Sequence, residues 1–251
     1  VVECGGFFVS VAVEAKNLVK DFGSVRALDG LNFKIEKGEI FGLIGLNGAG
    51  KTTALRITAT LLRPTSGTVT VFGHDVVEEA AEVRNLITYL PEEAGAYKNL
   101  SGFEYLRFMA NFRTKDKAAM EELVDAAAEI SGLGDRLKDK VKGYSKGMKR
   151  RLLVARALMT KPKLAILDEP NSGLDVLHSV HVRTLIKRYA KERGVTVLLS
   201  SHNMLDVEYL CDRVALINKG KVVVEGSPSE LKEKYNAVNL EEVFGEVVGF
   251  A

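Results

Sequence analysis

The chain has 251 residues, of which 46% are hydrophobic and 27% charged, which is ample for a buried core and fits one large domain or two small ones. These fractions exclude disordered, collagen-like and fibrous classes. A net charge of +2, from 35 Lys and Arg against 33 Asp and Glu, offers no bulk electrostatic reason to expect a nucleic-acid or membrane-surface binder. No apolar stretch approaches the roughly 18–20 residues a helical membrane span requires. The two cysteines, Cys4 and Cys211, have neither paired nor metal-like spacing, so a disulfide scaffold is excluded and a reducing compartment is expected.

In chain order, Val1 to Val13 is apolar without a basic leader and reads as an arm before the first strand. Val11 to Val19 and Leu31 to Ile35 read as strands. Glu39 to Gly45 is a short buried strand running into a glycine-rich loop, and a helix is expected from Lys51 to Leu62, closed by Pro64. Thr68 to Phe72 reads as a strand, Glu78 to Leu86 as a helix and Ile87 to Leu90 as a strand. From about Ala96 to Met159 the strand signals vanish. Helical spacing, as in Met120, Leu123, Val124, Ala127 and Ala128, predicts a helical insertion there. Leu164 to Leu167 and Val195 to Leu199 are continuous apolar strands separated by a helix over Val180 to Arg193, the pattern of a parallel sheet covered on both faces. Asp212 to Ile217 and Lys221 to Val224 form a hairpin around Asn218-Lys219-Gly220, followed by two short helices.

The glycine-rich loop Gly45-Leu46-Asn47-Gly48-Ala49-Gly50-Lys51-Thr52 fits G-x-x-x-x-G-K-[ST] at every fixed position, with an apolar strand before it and a helix after it. Glycines let the backbone wrap so that N–H groups face phosphate oxygens, and the helix adds its positive N-terminal end. Lys51 then reaches the β- and γ-phosphates and the Thr52 hydroxyl ligates magnesium.

Leu164 to Glu169 is an apolar strand ending in two carboxylates, at the strand end that opens onto the ligand crevice of an α/β sheet. Asp168 is placed to hold magnesium through its water shell, and Glu169 to polarise an attacking water as general base. His202 follows another apolar strand and reaches the same crevice edge. His178 and His181 have a metal-like i,i+3 spacing with no third ligand, and are read as a solvated helix face. Residues 137–151 carry seven basic side chains (Lys138, Lys140, Lys142, Lys146, Lys149, Arg150 and Arg151) against Asp139, readable as a solvated face or an RNA-binding patch.

Together these residues resemble the ATP-binding cassette of transporters. Tyr144-Ser145-Lys146-Gly147-Met148 is similar to the family signature and stands 23 residues before Asp168, counted from Ser145. Ser172-Gly173-Leu174-Asp175 matches the D-loop, Ser201-His202 the switch histidine, and Phe22 the aromatic that stacks on adenine. Glu92, in Leu90-Pro91-Glu92-Glu93, stands where the family has a Gln that contacts magnesium and the attacking water, and Lys146 and Met148 replace a Gly and a Gln of the signature. The sub-pattern looks most like cassettes of the multidrug-export type.

The resemblance implies an α/β fold: a P-loop NTPase core with a mostly parallel sheet, an N-terminal antiparallel β subdomain and an inserted helical subdomain. One cassette domain over 1–251 is expected, with its core at about 1–95 and 160–251 and the helical part at about 96–159. It implies ATP bound by Phe22 and by Gly45, Leu46, Asn47, Gly48, Ala49, Gly50, Lys51, Thr52 and Thr53, with Mg2+ held by Thr52, Asp168 and Glu92. Glu169 and His202 would be catalytic, and Ser145, Lys146, Gly147 and Met148 would close the ATP site of a second cassette in a head-to-tail dimer, giving the basic run a third reading. Expected partners are a second copy or a homologous cassette and an integral-membrane subunit that docks between lobe and core, with no nucleic acid. The expected location is cytoplasmic, peripheral on the inner face of the cell membrane. Rival readings are a soluble cassette of repair, translation or cofactor assembly, and a regulatory module that binds nucleotide without hydrolysing it. The interval of 117 residues from Lys51 to Asp168, without sustained heptads, disfavours a repair ATPase, and a single cassette disfavours the translation type.

Overall fold

A computed structural model describes residues 10–249. Cys4 and most of the N-terminal arm lie outside this range; Ala12 and Val13, which the arm was expected to include, are buried strand residues. The elements run β1 (Val11–Phe22), β2 (Val25–Glu36), β3 (Ile40–Ile44), α1 (Lys51–Thr58), β4 (Ser66–Val71), β5 (His74–Asp75), α2 (Ala80–Leu86) and β6 (Ile87–Leu90). Then come α3 (Gly102–Ala110), α4 (Lys117–Ser131), two short 3-10 turns, α5 (Lys146–Leu158), β7 (Leu164–Asp168), α6 (Val176–Arg193) and β8 (Thr196–Ser201). The described chain closes with α7 (Met204–Leu210), β9 (Arg213–Asn218), β10 (Lys221–Gly226), α8 (Pro228–Lys234) and α9 (Leu240–Val248).

Two sheets form. An antiparallel sheet has the order β2-β1-β4-β5, and a six-stranded sheet has the order β10-β9-β3-β8-β7-β6, parallel except for the β9–β10 hairpin. Side chains alternate along a strand, so the central strands feed two separate cores. Ile40, Ile44, Ala165, Leu167, Val197, Leu199, Val214 and Leu216 face the core shared with α3 to α9. Phe41, Leu43, Leu164, Ile166, Leu198, Ala215 and Ile217 face the core shared with α1, β1, β2 and β4. Continuous apolar strands are what burial on both faces requires, and every residue of β3, β7 and β8 is buried. β3 sits between β8 and β9, so the carboxyl ends of β3, β7 and β8 open side by side onto one crevice.

The helix after the glycine loop ends at Thr58, four residues before the expected Leu62. Leu61 N–H bonds to the Arg56 carbonyl and Thr60 N–H to that of Ile57, a Schellman closure. It places Thr60 at φ 62, a position usually taken by glycine, so the sequence carries no glycine to announce the stop.

Candidate functional site

The loop from Gly45 to Gly50 turns β3 into α1, and its glycines are demanded by neighbouring backbone. A Cβ on Gly45 (φ 156) would lie 2.2 Å from the Ile217 carbonyl oxygen, and one on Gly50 (φ 108) 2.6 Å from that of Ala27. Lys51 arches back over the loop, donating to the carbonyls of Gly45 at 2.7 Å and Leu46 at 3.2 Å. An open pocket of about 280 Å³ lies against this turn, lined by Ala27, the stretch from Asn47 to Thr53, Glu92 and Glu169.

Asp168, at the end of β7, is buried and fully engaged. Its Oδ1 accepts from Thr52 Oγ1 at 3.1 Å and Ser200 Oγ at 2.6 Å, and its Oδ2 accepts from the Tyr89 hydroxyl at 3.2 Å. Burial, reinforced by this carboxylate, pushes the Tyr89 phenol up, so it stays a donor. Glu169 Oε1 lies 3.6 Å from Lys51 Nζ, and Oε2 lies 2.9 Å from Nδ1 of His202, which is half exposed. Glu169 also adopts φ 46, a left-handed conformation uncommon for a non-glycine residue. Its N–H is held by Ser200 Oγ at 2.9 Å.

Arg150 of α5 is buried, with its guanidinium on the backbone carbonyls of Pro91, Glu92, Asp168, Glu169 and Pro170. Burial pushes its pKa down to about 10, while Glu92, Asp168 and Glu169 favour its charge. Two cations, Lys51 and Arg150, are thus buried in the same region as two carboxylates, Asp168 and Glu169, a balance of charge that limits the desolvation cost. Glu92 Oε1 accepts from the Ser172 hydroxyl at 2.9 Å, linking the loop after β6 to the turn after β7.

Gly45 to Thr53, Asp168, Glu169, Glu92 and His202 therefore converge on one crevice. The stretch Ser145 to Met148 does not line this pocket, and neither does Phe22. Ser145 caps α5, its Oγ accepting from Met148 N–H at 3.2 Å, which leaves its hydroxyl proton free to donate. Lys146 lies across Gly173: a Cβ there would meet Lys146 Nζ at 1.9 Å. Leu174 packs against the helical core, and Asp175 caps α6 by accepting from His178 N–H at 2.9 Å. Phe22 is half exposed at the end of β1, with Lys20 Nζ 5.1 Å from its ring centroid.

Two expectations need correction. His178 is only partly solvated, because its ring packs on Gly147, where a Cβ would lie 2.2 Å from it; His181 is exposed, with Nδ1 3.0 Å from the Leu177 carbonyl. The basic run is not wholly a surface either. Arg150 is buried, and Arg151 bonds the carbonyls of Ser131 and Gly132 at the end of α4. The residues that the sequence reading missed are Ser200, Tyr89 and Arg150. Ser200 carried a signal, a hydroxyl interrupting an apolar strand, whereas Arg150 was hidden among neighbours of like charge.

The sequence model of the family described as ABC transporter matches residues 28–172, more than half the chain. The bacitracin transport ATP-binding protein BcrA of Bacillus licheniformis is 38% identical over 226 residues, 90% of this chain and 73% of that protein. The daunorubicin/doxorubicin resistance ATP-binding protein DrrA of Streptomyces peucetius is 40% identical over 221 residues, 88% of this chain and 67% of that protein. Among solved structures, cbiO1 of Clostridium perfringens, part of the ABC transporter complex cbiONQ, superposes with a TM-score of 0.82 at 25% identity, covering 95% of this chain and 94% of its own. With a crevice at a glycine-rich turn on a matching fold and relatives matched over most of their length, the chain belongs to the ABC transporter family, as an ATP-binding cassette subunit.

Proposed function

We propose that the Gly45–Thr53 turn binds the triphosphate of ATP, and that a pair of cassettes hydrolyses it to drive export through a membrane-embedded subunit. The observation that carries this reading is the convergence of Lys51, Asp168, Glu169 and Glu92 around one crevice while Ser145 to Met148 lie outside it. A half-site of this kind is completed by a second copy or a homologous cassette in head-to-tail contact, with Ser145, Lys146, Gly147 and Met148 of one facing the γ-phosphate held by the other. Ser172, Gly173, Leu174 and Asp175 would border that junction, and Phe22 would stack on adenine. The domain plan is a single cassette, its core at about 1–95 and 160–251 and its signature-bearing helices at about 96–159.

Thr52, Asp168 and Glu92 present oxygen donors only, which suits Mg2+, an ion usually bound by one or two carboxylates together with the substrate phosphates. When bound, Mg2+ supplies charge neutralisation on the phosphate oxygens. Lys51 adds a positive charge from the loop side. Glu169 orients a water and takes its proton as the water oxygen bonds the γ-phosphorus and the bond to the β-phosphate oxygen breaks, leaving ADP and inorganic phosphate. His202, already against Glu169 Oε2, holds that carboxylate and reaches the γ-phosphate.

Among the described residues no helix is long and apolar enough to cross a membrane, and the sequence has no apolar run of spanning length; a separate membrane subunit supplies the span in this reading. The relatives BcrA, named for bacitracin transport, and DrrA, named for daunorubicin/doxorubicin resistance, support the export reading. In this reading the cassette sits on the cytoplasmic face of the membrane, against its membrane subunit. The test uses light scattering and ATP turnover. Glu169→Gln should bind ATP, lose turnover and accumulate as an ATP-dependent dimer, while Lys51→Ala should lose nucleotide binding. A Glu169→Gln chain that stays monomeric under saturating Mg-ATP and turns over at the wild-type rate would sink the reading.

A further inference from the structure

Arg150 stands on α5 five residues after Ser145, the cap of the same helix. A guanidinium has five N–H donors in a rigid planar fork. Here Nε donates to Pro170 O at 2.8 Å, one terminal nitrogen to Asp168 O at 2.9 Å and Glu169 O at 2.7 Å, and the other to Glu92 O at 3.0 Å and Pro91 O at 3.4 Å. All the acceptors are main-chain carbonyls. They come from two segments far apart in sequence, the loop after β6 and the end of β7. A side chain that grips backbone fixes the path of the chain, not the rotamer of a neighbour.

Glu169 shows the consequence. Its left-handed backbone is clamped from both sides, Ser200 Oγ on its N–H and Arg150 on its carbonyl. A conformation of this kind persists only where surrounding bonds over-determine it. The other end of the tie is α5, whose first turn carries Ser145 to Met148.

We propose that Arg150 is a positioning residue that couples the Ser145–Met148 turn to Glu169 and to the Glu92 loop, so that a displacement of α5 moves the general base and Glu92 together. This rests on the reading above that Glu169 activates water. The simpler account is a buried polar staple that contributes stability and nothing else. Arg151, the next residue on α5, is such a staple: its bonds go to Ser131 and Gly132, away from the crevice.

The comparison of these two arginines is the experiment. Arg150→Gln, Arg150→Lys and Arg151→Gln are made in the full chain and measured for ATP turnover, binding of a fluorescent ATP analogue, melting temperature and amide exchange of residues 168–172. Arg150→Gln should lower kcat about tenfold or more per folded molecule with analogue affinity held within about twofold, the signature of a lost transition-state geometry. It should also speed exchange at 168–172. Arg150→Lys, which keeps the charge and three of the donors, should recover part of kcat. Arg151→Gln should lower the melting temperature and leave kcat and that exchange unchanged. Exchange at 168–172 that is the same in Arg150→Gln and Arg151→Gln overturns the proposal, as does a kcat for Arg150→Gln at the wild-type level. A wild-type chain that binds the analogue without hydrolysing ATP defeats the catalytic reading of Glu169 instead, and the exchange data still decide whether Arg150 holds that segment.

Discussion

Ser200 Oγ donates to Asp168 Oδ1 at 2.6 Å and accepts the Glu169 N–H at 2.9 Å, so one buried hydroxyl holds both carboxylate-bearing residues at the end of β7. Ser200→Ala removes a donor from a buried carboxylate and strands a buried N–H. Leaving buried polar groups without partners costs about 1–3 kcal/mol. Urea unfolding should register that loss, and ATP turnover should fall further than ATP binding, because the left-handed turn at Glu169 loses one of its two clamps. Unchanged unfolding and turnover would mean that the hydroxyl is dispensable.

Gly147 and His178 make a second test. A methyl on Gly147 would lie 2.2 Å from the His178 ring, too close for any real contact, while the ring itself is only partly exposed. Gly147→Ala should therefore destabilise the chain by about 1–3 kcal/mol through overpacking. Truncating the obstacle, in the pair Gly147→Ala with His178→Ala, should return most of it. A double-mutant cycle on chemical denaturation reads the coupling. Additive effects would show that the ring does not set the requirement for glycine.

Much of this architecture is legible along the chain because burial on two faces leaves a visible trace: β3, β7 and β8 carry continuous apolar runs, and the buried polar groups Asp168 and Ser200 come only at the carboxyl ends, beside the crevice. The glycine-rich turn is equally legible, since Gly45 and Gly50 are required by close backbone approach. Strand order is not. Nothing local tells β3 to sit between β8 and β9, which is decided by long-range packing. The end of α1 was misread because Thr60 takes a left-handed turn that glycine usually marks, and Leu61 and Leu62 continue the apolar pattern past it. Arg150 was illegible for a different reason. Its acceptors are carbonyls, which every residue has, so no partner residue type betrays it.

Cys211 supplies a prediction about access. Its thiol is buried against Gly42, and burial, reinforced by the charges of Asp212 and Glu39, pushes it well above the ordinary thiol range. Reactivity needs thiolate and exposure, and this group has little of either. In a Cys4→Ser background at pH 8, an aromatic disulfide reagent should label the native chain at least about a hundredfold more slowly than the urea-unfolded chain, at a rate set by local opening. Rapid stoichiometric labelling of the folded protein would contradict the burial of β3 against α7.

Glu39 tests the electrostatics at the start of β3. Its carboxylate accepts the Glu36 N–H at 2.7 Å and pairs with Arg213 at 3.0 Å, and Arg213 also pairs with Glu225. Burial nevertheless wins and raises the Glu39 pKa above its ordinary 4.5, with the Glu36 bond and Arg213 opposing. A raised carboxylate binds its proton more tightly in the folded state than in the unfolded one. Its contribution to stability is therefore greatest at or below the unfolded value and falls as pH rises through the folded value. Glu39→Gln cannot titrate. The stability of the wild type relative to Glu39→Gln should therefore decline from pH 4.5 to pH 7, as measured by urea unfolding of both chains across that range. A difference that stays flat, or grows with pH, would mean that Arg213 and the Glu36 amide outweigh burial at this site.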